Sequence, residues 1–167
     1  MILITVGSQL PFDRLVRPVA DWARARGRTD LVFQHGGGEV DLAGFESHAF
    51  VGPAEADALV ARAELVVSHV GMGTILSCLE RGTPVVVMPR QAALRETRND
   101  HQSDTARGLA GRAGVFVAWN EAELLALLDD APRLAAGARI GGEASPALVA
   151  ALSSFIHGAS RGAQPNS

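Results

Sequence analysis

Glu64-Leu65-Val66-Val67-Ser68-His69-Val70-Gly71-Met72-Gly73-Thr74 sets the architecture of this chain. The run Glu64–Ser68 carries an uninterrupted apolar Leu-Val-Val, the pattern of a strand covered on both faces, and so of a parallel sheet. A glycine-containing turn follows at once, and then a helix over Met72–Arg81 that Gly82 is placed to end. Pro84–Met88 is a second solidly apolar strand. Strand, turn, helix and strand in this order make a βαβ unit, which is right-handed and parallel.

The same alternation extends in both directions. Upstream, Ile2–Val6 reads as a buried first strand and Pro11–Arg26 as a helix. Its stripe of Phe12, Leu15, Val16, Val19, Trp22 and Ala23 recurs at three- and four-residue spacing. Leu31–Gln34 is the second strand, before the loop His35-Gly36-Gly37-Gly38. A short third strand is expected at Ala49–Val51, and a helix at Glu55–Arg62 entered through Pro53. Downstream, Asp100–Arg112 reads as a helix, Val115–Ala118 as a sixth strand and Glu121–Leu128 as a further helix, with Asp129-Asp130 as its solvated end. A last helix is expected from Ser145-Pro146, with Leu148, Val149, Leu152, Phe155 and Ile156 as its stripe. The expected fold is a doubly wound α/β domain with a mostly parallel, Rossmann-like sheet over residues 1–157, followed by a small, polar tail at 158–167.

Composition narrows the function. The 167 residues are 47% hydrophobic, enough for one domain with a sizeable core. The net charge of −3 argues against a nucleic-acid binder, which would carry a basic face. All 15 basic residues are arginine, so a Walker A lysine and Schiff-base chemistry are both excluded. The absence of tyrosine removes phenol acid–base schemes. Cys78 permits no internal disulfide and falls in an apolar helical pattern, as a small core residue would. No apolar run reaches the ~18 residues of a membrane span. The histidines lack metal-ligand spacing and no Asp-x-Asp is present, so no metal site and no cofactor is expected.

In doubly wound sheets ligands bind beyond the carboxyl ends of the strands, which directs attention to three loops. Ser68–Thr74 opens a helix with glycines, so free amides and the helix dipole suit an anion there, with His69 and Thr74 as side-chain donors. A tight packing turn would use the same glycines, and the spacing is not Gly-x-Gly-x-x-Gly. Gly7-Ser8-Gln9 is either a second phosphate-facing turn or an ordinary βα connection. Arg90–Gln102 is long and polar for such a connection, and its Asn99, Asp100, His101 and Gln102 suit either sugar hydroxyls or a solvated helix start.

The segments Ala63–Thr74, Gly82–Arg90 and Asn99–Gln102, with the opening Val6–Asp13, resemble the C-terminal domain of glycosyltransferase family 28. The likeness runs from Met1 to about Leu128 and is closest to small, separate catalytic subunits of two-part enzymes. It implies a GT-B half that binds a UDP-sugar donor without an essential metal. By position, Gly7, Ser8 and Gln9 would line the phosphate side, and His69, Gly71, Gly73 and Thr74 would cradle the diphosphate. Asn99, Asp100, His101 and Gln102 would approach the sugar or its phosphate, with Gln34 and Gly36 near the uracil. Where many relatives carry a ribose-holding glutamate, Ser77 stands here, with Glu80 one turn later. The resemblance further implies transfer of a hexose or N-acetylhexosamine to a lipid-linked or polysaccharide acceptor. A membrane-associated, acceptor-binding partner subunit would supply the general base and recruit a cytoplasmic chain to the inner face of the membrane. The isolated chain could pair with itself through the open cleft face. A nucleotide-binding regulatory module without transfer activity, or a sugar-nucleotide epimerase or hydrolase, are the competing readings.

Overall fold

The computed structural model describes residues 1–134. Among these residues six strands and five α-helices follow one another, alternating except that β3 succeeds β2 directly: β1 Ile2–Thr5, α1 Asp13–Ala25, β2 Leu31–Gln34, β3 Glu46–His48, α2 Pro53–Arg62, β4 Leu65–His69, α3 Met72–Arg81, β5 Val85–Met88, α4 His101–Leu109, β6 Val115–Val117 and α5 Glu121–Asp129. The sheet order is β3-β2-β1-β4-β5-β6, and every neighbouring pair is parallel. The expected doubly wound α/β architecture is the observed one.

The strands divide their side chains between two cores at period two. Ile2, Ile4, Leu31, Phe33, Val67, Val86 and Met88 face α1 and α5, where Leu15, Val19, Trp22, Leu124 and Leu128 complete the first core. Leu3, Val32, Val66, Val85 and Val87 face the other way, onto Leu59 and Val60 of α2, Ile75, Cys78 and Leu79 of α3, and Ala106 and Leu109 of α4. Cys78 is fully buried in that second core, and burial pushes its thiol pKa up to about 12, so it is packing rather than nucleophile.

The third strand departs from expectation. The apolar run Ala49–Val51 suggested it, but Glu46–His48 pairs with Val32–Gln34 instead. An edge strand has one open flank, so polar residues are tolerated there. Ala49 serves the neighbouring loop through its carbonyl, which accepts the Gly36 amide at 2.9 Å. Asp129, read as a solvated helix end, is instead tied down: Trp22 Nε1 donates to it at 2.8 Å and Arg26 pairs with it. The expected last helix from Ser145-Pro146 and the tail at 158–167 lie outside the described residues. Among the described residues no helix is long and apolar enough to cross a membrane.

In this strand order the chain reverses direction between β1 and β4, both of which continue into loops at the carboxyl edge of the sheet. That switch point is where an open α/β sheet presents a crevice.

Candidate functional site

A cleft of about 260 Å³ opens at this switch point, lined by Val6, Gly7, Ser8, Gln9, Leu10, His69, Gly71, Gly73, Thr74, Arg90, Glu96, Thr97 and Gln102. All three loops singled out in the sequence contribute.

His69, the last residue of β4, forms one wall. Gly7 and Gly71 flank its ring: a Cβ built on Gly7 would lie 2.6 Å from His69 Cε1, and one built on Gly71 would lie 2.5 Å from Cε1 and Nε2. Gly7 also sits at φ +78°, a conformation that glycine adopts at no steric cost. Burial, reinforced by the nearby Arg90 guanidinium and opposed by a hydrogen bond to the Thr5 backbone, pushes the His69 pKa down to about 4. The ring is therefore neutral at pH 7, and its single N–H is the one held by the Thr5 backbone, which leaves the other ring nitrogen as an acceptor.

α3 starts beside it. Gly71 caps the helix in extended geometry, no side chain caps its N-terminus, and Gly73 and Thr74 lie in its first turn. The amides of that turn have no intrahelical partners, which favours an anion at this end of the cleft. A Cβ on Gly73 would meet nothing within 4 Å, so here no packing contact requires the glycine.

Gln102 joins two of the loops. Its side-chain oxygen accepts from the backbone amides of Val70 and Arg90, both at 3.2 Å. Two N–H donors fix the orientation of the carboxamide, leaving its NH₂ group as a donor at the cleft.

Arg90, two residues beyond β5, was not singled out from the sequence. Only 4% of its surface is exposed. Its Nη1 donates to the carbonyls of Pro11 (2.7 Å) and Glu96 (3.3 Å), and its Nη2 to those of Val6 (2.9 Å) and Leu10 (2.6 Å). Glu96 is gripped by Arg14 at both carboxylate oxygens, 2.7 and 2.8 Å. The available signal was an arginine just past a buried strand, at the start of a long polar loop.

The remaining predicted residues lie outside the lining. Gln34 is buried, and its side chain is fully occupied: Oε1 accepts from Thr5 Oγ1, Val6 N and Gly7 N, and Nε2 donates to the carbonyls of Gly7 and Ala49. It shapes the first loop from behind. Gly36 packs against that loop, since a Cβ there would lie 3.0 Å from Val6 Cγ2. Asp100 Oδ1 accepts from the Ala92 amide at 2.9 Å, and Asn99 Oδ1 from the His101 amide at 3.4 Å, so both order the third loop; His101 is exposed. Ser77 donates to Asp57 at 3.1 Å and accepts from Arg81 at 3.0 Å, forming a surface triangle on α2 and α3.

Comparison with known proteins agrees with this geometry. The model of the glycosyltransferase family 28 C-terminal domain matches residues 1–130. A UDP-N-acetylglucosamine--N-acetylmuramyl-(pentapeptide) pyrophosphoryl-undecaprenol N-acetylglucosamine transferase of Leifsonia xyli subsp. xyli is 30% identical over 142 residues, covering 80% of this chain but 39% of its own length. The chain thus spans well under half of that relative. The crystal structure of the glycotransferase of kitacinnamycin superposes with a TM-score of 0.57 at 25% identity, over 93% of this chain and 38% of that one. The solution structure of ALG13 matches in fold at 18% identity and a TM-score of 0.54, over 79% of this chain and 85% of that one. Sheet, cleft and family match coincide on the same residues, and the chain belongs to the glycosyltransferase family 28 C-terminal domain family.

Proposed function

We propose that this domain is the donor-binding half of a GT-B glycosyltransferase and holds a UDP-sugar in the cleft at the switch point. The observation that carries the reading is the convergence of an uncapped helix start, the Thr74 hydroxyl and the neutral His69 ring on one crevice. Together they suit a diphosphate. During transfer, negative charge grows on the departing nucleoside diphosphate, and fixed donors aimed at it lower the barrier most. The α3 amides and the Thr74 hydroxyl would do this without a metal, with the His69 ring as the wall beside them. Gln102, through its free NH₂, is placed to meet the sugar or its phosphate.

The donor class is supported by the Leifsonia relative, whose name specifies UDP-N-acetylglucosamine and a lipid-linked acceptor. We assign no general base within this chain. The acceptor, the base and recruitment to a membrane belong, in this reading, to a partner subunit or a second half. The four large hydrophobic residues that stand exposed among the described residues support a covered rim. Leu10, Phe50, Leu94 and Trp119 follow β1, β3, β5 and β6, all at the carboxyl edge of the sheet. Residues 1–157 would form the working domain, with 158–167 as its tail.

The test is transfer from radiolabelled UDP-N-acetylglucosamine or UDP-glucose to a polyprenyl-phosphate-linked acceptor, with this chain alone and with a candidate acceptor-binding partner. Transfer that requires both components is expected; robust transfer by the chain alone would remove the split-enzyme reading. Donor binding without transfer under any pairing would instead favour a regulatory module.

A further inference from the structure

Arg90 spends its donors in an unusual way. All four terminal N–H groups of its guanidinium point at backbone carbonyls, three of them in the loop after β1 and one at Glu96. Only Nε–H is left. A bidentate grip on a phosphate, the usual role of a buried arginine in a nucleotide site, would require breaking one of these bonds side-on through Nε, or two of them end-on. The guanidinium also lies over the Phe12 ring, 4.6 Å from its centroid, which adds a further contact holding it in place.

Its charge is nevertheless available to the cleft. The charged groups near it are Glu96 and Arg14, and these two neutralise each other through their double contact. Glu96 is further held by the Gln91 amide at 2.9 Å, and Arg14 by the Pro89 carbonyl at 2.9 Å. The three side chains sum to one positive charge; Arg90 and Glu96 both line the cleft, and the Glu96 carboxylate is the one neutralised, by Arg14 behind it. His69 already registers that field, being held neutral in part by it.

We propose that Arg90 is a positioning residue of the donor cleft, which ties the loop after β1 to the loop after β5 and supplies unneutralised positive charge behind the diphosphate without ligating it. This rests on the donor-site reading above. The arrangement separates two tasks that arginine usually combines. Three of the carbonyls fix the loop carrying Gly7, Ser8 and Gln9 and the fourth ties it to Glu96, while the charge acts through space in a partly dry site, where such interactions are least screened.

Arg90→Lys keeps the charge but cannot span four carbonyls, whereas Arg90→Met loses both functions. In the unliganded full chain, the His69 ring is titrated by NMR. Arg90→Met is expected to raise the His69 pKa by roughly one unit, and Arg90→Lys to leave it near the wild-type value. In UDP calorimetry, Arg90→Lys is expected to weaken binding several-fold and Arg90→Met by roughly a further tenfold. Equal losses in both variants with an unmoved His69 titration would make Arg90 a scaffold residue and overturn the proposal, as would wild-type UDP affinity in Arg90→Lys. If Arg90→Met fails to fold, Arg90→Lys alone decides, since wild-type affinity there contradicts the positioning role. Failure of the unaltered chain to bind UDP would sink the donor reading separately; the His69 titration would still report on Arg90.

Discussion

The ring of His69 occupies the space that a side chain on Gly71 would need, with Cε1 and Nε2 both 2.5 Å from the position of a Gly71 Cβ. The glycine before α3 is therefore required by a neighbouring side chain, whereas Gly73, two residues on, has open space where its Cβ would be.

This contrast yields a paired prediction. Gly71→Ala must displace His69, and is expected to lower both stability and UDP affinity. Gly73→Ala lies within the first turn of α3, where alanine is favoured over glycine by about 0.5–1 kcal/mol, so it is expected to fold at least as stably. It nonetheless narrows a cleft-lining position, so UDP binding should weaken. Thermal melts and calorimetry on the two variants check this; unchanged UDP affinity in Gly73→Ala would move the phosphates away from the α3 turn.

His69 gives the fold a pH dependence of defined sign. Its pKa is about 4 in the folded chain against an ordinary 6.5. As the pH falls from 6.5 towards 4, the unfolded chain takes up a proton at this site before the folded chain does. Stability is therefore complete above that window and is lost on descending through it, by about 2 kcal/mol between pH 7 and pH 5 from this group. Urea unfolding of the wild type and His69→Gln at the two pH values should differ by about that increment. Identical pH slopes would mean that His69 is not held neutral by the fold.

Gln102 separates loop positioning from ligand contact. Gln102→Ala leaves the Val70 and Arg90 amides without their acceptor, each loss costing about 1–3 kcal/mol where the group stays buried. It should lower the melting temperature and weaken UDP and UDP-sugar alike. Gln102→Glu keeps the accepting oxygen but replaces the NH₂ donor with negative charge. It is expected to fold normally and lose UDP affinity by tenfold or more, an effect of about 1.4 kcal/mol upward. Wild-type UDP affinity in Gln102→Glu would place the ligand elsewhere.

The apolar rim predicts a phenotype distinct from donor binding. Leu94 and Trp119 are exposed at the carboxyl edge and do not line the cleft. Leu94→Ser combined with Trp119→Ser is expected to leave UDP affinity within about twofold while reducing partner-dependent transfer severalfold. Coprecipitation with the partner and the transfer assay check it; undiminished transfer would show that the partner docks on another face.

Much of this was legible in the residues. Apolar runs such as Val85–Met88 and the stripe of α1 follow from periodicity, because both faces of a parallel sheet must be covered. The His69–Thr74 turn was legible because glycines and small polar residues directly follow a buried strand. Arg90 was not, because its partners are backbone carbonyls in a loop 80 residues away, which no local pattern records. Gln34 stood at a strand end, the expected place for a ligand contact, yet its amide completes the hydrogen bonding of the first loop. The edge strand was misplaced by three residues because its pairing depends on register with β2 rather than on its own hydrophobicity.

The most direct test of the central claim is a titration of the isotope-labelled chain with UDP, followed by backbone amide NMR. The account predicts saturable shifts concentrated in Gly7–Leu10, His69–Thr74 and Glu96–Gln102, with the Arg17–Asp21 surface of α1 unmoved. Absence of shifts at millimolar UDP, or shifts confined to the α1 surface, would contradict a donor site at the β1/β4 switch point.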